Sequence, residues 1–171
     1  MDFFKKIIVV SFLGVAFFSA NAQTTNFQAY SVFIVSIAKY SNWPTHGGEF
    51  KIVVVGKSKV YNELLRISAQ KDVNGMKMVV SQVDDASQVG EANIVYVSDG
   101  KSSSLDDVLK TTHGKPIMVI TEREGLFKKG AGFSFVVLDN STLRFDINNT
   151  ELEKRQIKIS KSLSALANSI I

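Results

Sequence analysis

Two histidines, His46 and His113, are the most versatile chemical groups in the chain, and each lies beside a glycine in its own turn. An imidazole pair builds a metal site when it shares one helix face at i, i+4, or when it flanks a glutamate as H-E-x-x-H; neither spacing occurs. Both histidines read as solvated loop residues. The carboxylates come as Asp84-Asp85, Asp106-Asp107 and Glu122 with Glu124. Neighbours on a strand or helix point different ways, whereas acid/base work needs two carboxyl groups that face each other. Gly56-Lys57-Ser58 looks like the end of a phosphate loop, but the required first glycine would fall at Lys51. The glycines at 130 and 132 precede a strand, not the helix a dinucleotide site needs. No G-x-S-x-G elbow is present. Asp139-Asn140-Ser141 reads as hairpin turn chemistry and not as a calcium loop. The chain has no cysteine, which removes thiolate nucleophiles, thiolate metal sites and thiol redox switches. The expectation is a protein with no catalytic residue, no metal and no cofactor, and thus not an enzyme.

The elements that would position any site follow from hydrophobic periodicity. Phe27 to Tyr40 repeats apolar residues near the helical period, and Asn42 to Pro44 ends it, since a residue before proline leaves the helical region. Phe50 to Val55, Lys77 to Val83, Asn93 to Val97 and Lys115 to Thr121 read as strands. The continuous β-branched runs mark strands buried on both faces. Ser58 to Ser68 and Leu105 to Thr111 read as helices, the latter capped by Ser104. Asp84 to Val89 reads as a connection or a single helical turn, and Glu122 to Gly132 as a loop or short helix. Phe133 to Leu138 and Thr142 to Ile147 read as a hairpin, followed by a short helix from Thr150 to Arg155 and an amphipathic helix from Ser160 to Ile170. Strands alternating with helices predict an α/β fold: a three-layer α/β/α sandwich with a mostly parallel sheet and a C-terminal antiparallel hairpin.

The first 22 residues differ from the rest. Lys5 and Lys6 precede an apolar run from Ile7 to Phe18, and Ala20-Asn21-Ala22 fits the small-residue cleavage pattern. That run is shorter than the ~20 residues a bilayer span needs. A cleavable signal peptide over 1–22 is expected, leaving 23–171 as a single exported domain that does not insert in the membrane. Export reaches compartments where disulfides form, yet this chain has none to make, so its core must supply stability alone. The net charge of +4 and the absence of a dense basic cluster argue against nucleic acid. Lys128-Lys129 and Lys154-Arg155 read as solvated faces.

Several stretches are shared, in order, with a known family. They are Tyr40-Ser41-Asn42-Trp43-Pro44, Phe50 to Gly56, Phe127 to Phe133, Arg144-Phe145-Asp146-Ile147-Asn148, and Ile159-Ser160-Lys161-Ser162-Leu163 with Leu166-Ala167. In these the chain resembles the YfiR-like family of exported bacterial proteins, over roughly Phe27 to Ile170. The resemblance implies a periplasmic domain that tends to form a homodimer. It also implies a non-enzymatic regulator that binds the periplasmic region of a membrane signalling protein, such as an inner-membrane diguanylate cyclase. Repression of such a cyclase lowers cyclic di-GMP and holds back biofilm formation. Family members often carry disulfides; their absence here removes a redox-controlled version of the switch.

Three residues are candidates for partner or ligand binding. Trp43 is either a core lid beside Pro44 or an exposed anchor, the role in which tryptophan is enriched at interfaces. Arg144 and Asp146 share one face of the last long strand at i, i+2. Arg144 would pair either with a carboxylate of a partner or ligand, or with Asp146 itself. Asn148 is read as a helix cap. The stripe Leu163, Leu166, Ala167, Ile170 is core packing or a dimer seam. The rival reading is a small-ligand-binding module with its pocket at the carboxyl ends of the strands, where open α/β sheets usually bind.

Overall fold

The computed structural model describes residues 21–44 and 48–171. The export signal expected over 1–22 lies almost wholly outside the described residues, and so does His46. The chain opens with α1 (Asn21–Lys39), β1 (Ser41–Asn42), β2 (Glu49–Val55), α2 (Lys59–Ser68) and β3 (Lys77–Val83). It continues with β4 (Ile94–Val97), α3 (Leu105–Thr111), β5 (Met118–Thr121), β6 (Phe133–Val137) and β7 (Leu143–Ile147). It ends with α4 (Asn149–Lys154), β8 (Lys158–Ile159), α5 (Lys161–Ser164) and β9 (Ser169–Ile170).

Seven strands form the main sheet in the order β3-β2-β4-β5-β6-β7-β9. The five from β3 to β6 run parallel, β7 turns back antiparallel to β6, and β9 runs parallel to β7. The chain leaves β2 for β3 on one side and then crosses to β4 on the other, which makes the carboxyl ends of β2 and β4 the topological switch point.

Strand alternation sorts the core into two layers. Ile52, Val54, Ile94, Tyr96, Met118 and Ile120 face α1 and α2, where Ile34, Ile37, Val60 and Leu64 meet them. Val53, Val55, Val95, Val97 and Val119 face the other way, onto Leu105 and Val108 of α3. Every second residue points to the opposite face, so strands with no polar alternation must be covered on both sides. The α/β/α sandwich expected from the sequence is the observed fold.

Local chemistry sets the ends. The Ser58 hydroxyl accepts from Val60 N at the start of α2, and Asn148 caps α4 by accepting from Glu151 N. Asp85 and Gln88 form a capping box around the single helical turn Ala86–Gln88. The C-terminal segment departs from expectation. The helix expected from Ser160 to Ile170 stops at Ser164, and residues after it turn onto the sheet as β9. The backbone of β7 would otherwise be an open edge, and it accepts Asn168 N at Phe145 O and Ile171 N at Ile147 O. Leu163 is therefore core, while Leu166 and Ile170 stay half exposed. A second sheet, β1 antiparallel to β8, also lies outside the sequence reading.

Candidate functional site

At the carboxyl edge the groups that could meet a ligand are bonded to one another. Glu122 Oε2 accepts from the Tyr96 hydroxyl at 2.8 Å and from Asp99 N at 3.2 Å. Arg123 Nε donates to Asp99 Oδ1 at 2.8 Å, and this exposed guanidinium is held above its ordinary pKa by that bond and by the charge of Asp99. Burial, reinforced by Glu122, pushes the Tyr96 hydroxyl well above the usual tyrosine range; Tyr30 moves the same way for the same reasons. Gly56, at φ +87°, ends β2 here, and a Cβ on it would stand 2.4 Å from Lys101 Cγ and 2.5 Å from Ser98 Oγ. The Lys101 stem thus lies over the switch point, and the buried Ser98 hydroxyl beneath it has no hydrogen-bond partner among the described residues.

Trp43 stands at the opposite, amino-terminal edge. It is 5% exposed, so it is the core lid and not an exposed anchor. Its ring meets Phe50 edge-on with centroids 5.0 Å apart, and its Nε1 donates to Asn93 O at 3.3 Å. Asn93 in turn accepts from Lys51 N through Oδ1 at 2.8 Å, which ties the segment after α1 to the starts of β2 and β4. Two cavities flank the indole. One of about 480 Å³ is lined by Ala38, Phe50, Met76 and the polar Ser41, Asn74 and Asn93, among others. The other, about 930 Å³, runs between Pro44 and the Gln156–Ile159 stretch.

Arg144 and Asp146 do share a strand face, opposite Val136 and Ser134 of β6. They do not pair with each other: Asp146 is buried and accepts from Asn168 Nδ2 at 2.8 Å, while half-buried Arg144 makes no ion pair among the described residues. Strands β5 and β6 lie between β7 and β4, at whose start Trp43 bonds Asn93 O, so the three candidates form no common site.

Arg155, expected with Lys154 on a solvated face, is buried instead. Arg155 donates through Nη1 to Thr112 O, Thr112 Oγ1 and Ile117 O at 3.0 to 3.2 Å. Burial lowers its pKa, and the carbonyls replace the water it has lost. It fastens α4 to the turn after α3.

These arrangements bind and hold; none sets a nucleophile against a base. Among the described residues no His, Asp and Glu cluster could hold a metal ion, and no helix is long and apolar enough to cross a membrane. Fold and site define a three-layer α/β domain with two cavities beside Trp43 at the amino edge of its sheet. The chain belongs to the YfiR/HmsC-like family, whose model matches residues 27–168. That family is regulatory and acts with membrane sensor proteins.

Among solved structures, the chain is similar to an ABC domain from Streptococcus pneumonia in complex with L-Trp, at 10% identity and TM-score 0.58. It is also similar to a conserved domain protein from Vibrio cholerae, at 17% identity and TM-score 0.59. Each match covers 85% of this chain and 60% of the other, so this chain spans less than two thirds of either relative; the likeness is one of fold. No match is found among curated protein sequences.

Proposed function

We propose that this protein is an exported, periplasmic, non-enzymatic regulator that binds the periplasmic region of a membrane signalling protein, such as an inner-membrane diguanylate cyclase, and represses it. The observation that carries this reading is the family match over residues 27–168, nearly the whole of the described domain. The surface agrees with a protein-binding role. Val32 and Tyr40 at the outer side of α1, and Leu166, Ile170 and Ile171 near the sheet edge, are large apolar side chains left about half exposed. Such residues suit homodimer and partner contacts. Arg144, without an ion pair among the described residues, offers its guanidinium to a partner carboxylate, with Asp146 setting the strand beneath it and Trp43 holding the amino edge in shape.

Cyclic di-GMP measured in the native host tests the repression. Deleting the gene raises the nucleotide level, wild-type protein restores it, and Arg144→Ala restores it less fully. An unchanged level after deletion contradicts the reading.

A further inference from the structure

The smaller cavity beside Trp43 has a lining that specifies a ligand. Its apolar wall is Met76 and the edge of Trp43, backed by the fully buried Phe50, Val73 and Ala38, and its polar groups are a hydroxyl and side-chain amides. No Asp, Glu, Lys or Arg is among its described lining residues. Asn74 gives its Nδ2 to Lys39 O, which leaves Oδ1 as an acceptor. Asn93 takes Lys51 N on its Oδ1, which leaves Nδ2 as a donor. Ser41 is 6% exposed, and its hydroxyl has no hydrogen-bond partner among the described residues. A volume of about 480 Å³ falls in the range of sites for small molecules.

We infer that this cavity is a binding site for an uncharged small molecule, about the size of a capped amino acid, that carries both an apolar group and an amide. Met76 and the accessible edge of Trp43 take the apolar group; the Asn74 oxygen and the Asn93 amide nitrogen take the ligand's amide N–H and C=O. A charged group would lose water and find no opposite charge among the described lining residues, so charge disfavours a ligand here. The site lies at the amino edge, away from the switch point, where the polar groups already bond to each other and the Lys101 stem covers Gly56. This inference is independent of the regulator reading, since it concerns a pocket and not the partner surface.

Trp43 is the only tryptophan, so its indole N–H is a single reporter on the cavity wall. The full exported protein is titrated with N-acetylphenylalaninamide, N-acetylleucinamide, N-acetylphenylalanine (an anion) and phenylalaninamide (a cation), each to about 20 mM, a range that captures weak small ligands. The expected result is a saturable shift of the Trp43 indole, Asn74 side-chain amide and Met76 methyl signals with a neutral probe. Charged analogues bind at least about tenfold more weakly, the penalty for an unpaired charge. Asn74→Ala weakens the neutral probe about fivefold or more, as loss of one hydrogen-bond acceptor should, and the remaining spectrum reports that the variant is folded. Two results overturn the inference: neither neutral probe shifts these signals, or charged and neutral probes bind alike.

Discussion

The Trp43 indole packs edge-on against the Phe50 ring at an interplanar angle of 85° while its Nε1 donates to Asn93 O across the amino edge. One side chain thereby joins the segment after α1 to two central strands. Trp43→Ala should cost about 3–5 kcal/mol, the usual loss for a buried large aromatic. Trp43→Phe keeps the ring contact, loses the hydrogen bond and should cost about 1–2 kcal/mol. Urea unfolding followed by circular dichroism measures both. Equal, small losses would return Trp43 to the surface.

The Tyr96 hydroxyl, raised in pKa by burial and by Glu122, predicts alkaline sensitivity. Below about pH 10, the ordinary tyrosine value, folded and unfolded chains both keep the proton, and this group leaves stability unchanged with pH. Above it the unfolded chain releases the proton and the folded chain retains it. Stability then falls as pH rises, by at most about 1.4 kcal/mol per pH unit from this group. Tyr96→Phe removes that share and leaves the smaller one from Tyr30, so its urea midpoint should decline less between pH 9.5 and 11. An identical decline in the variant would show that Tyr96 does not titrate as its burial requires.

Gly56 and Ser98 should respond with opposite signs. Gly56→Ala forces a side chain into a left-handed backbone at φ +87° and against Lys101 and Ser98, for a loss of about 1–3 kcal/mol. Ser98→Ala deletes a buried hydroxyl that bonds nothing, and stability should hold or rise by up to about 1 kcal/mol. Thermal melts of the two variants check the pair.

Arg155→Ala leaves the Ile117 carbonyl without its donor and the Thr112 carbonyl with Lys115 N alone, and a loss of about 1–3 kcal/mol is expected from the buried group left unpaired. Arg155→Lys keeps a cationic nitrogen with several donors but on a shorter arm, and should recover less than half of that loss. Full recovery by lysine would mean that any cationic nitrogen, and not the reach of the guanidinium, holds α4 in place.

Much of the scaffold was legible because its strands are apolar on both faces. Lys77 to Val83 and Leu105 to Thr111 were read with the bounds observed, and the runs around Val53 and Val95 announced central parallel strands. The segment after Ser160 was misread for a physical reason. Leu163, Leu166 and Ala167 keep helical spacing, yet a helix that short is marginal alone. The unpaired edge of β7 offers backbone partners that the local pattern cannot reveal. Two-residue strands such as β1 and β8 carry no periodicity at all. The candidate site was legible only in part. Trp43 stood out by type, but Ser41, Asn74 and Asn93 look like ordinary turn and strand-end residues. Only the fold brings them around one cavity.

The central claim, binding to a membrane signalling protein, is tested most directly by affinity capture. The domain, residues 23–171, immobilised, is exposed to solubilised membranes of the native host beside an unrelated periplasmic α/β domain, and captured proteins are identified by mass spectrometry. The account predicts selective recovery of an inner-membrane diguanylate cyclase or sensor, reduced with Arg144→Ala. Recovery of no membrane signalling protein above the control would contradict it.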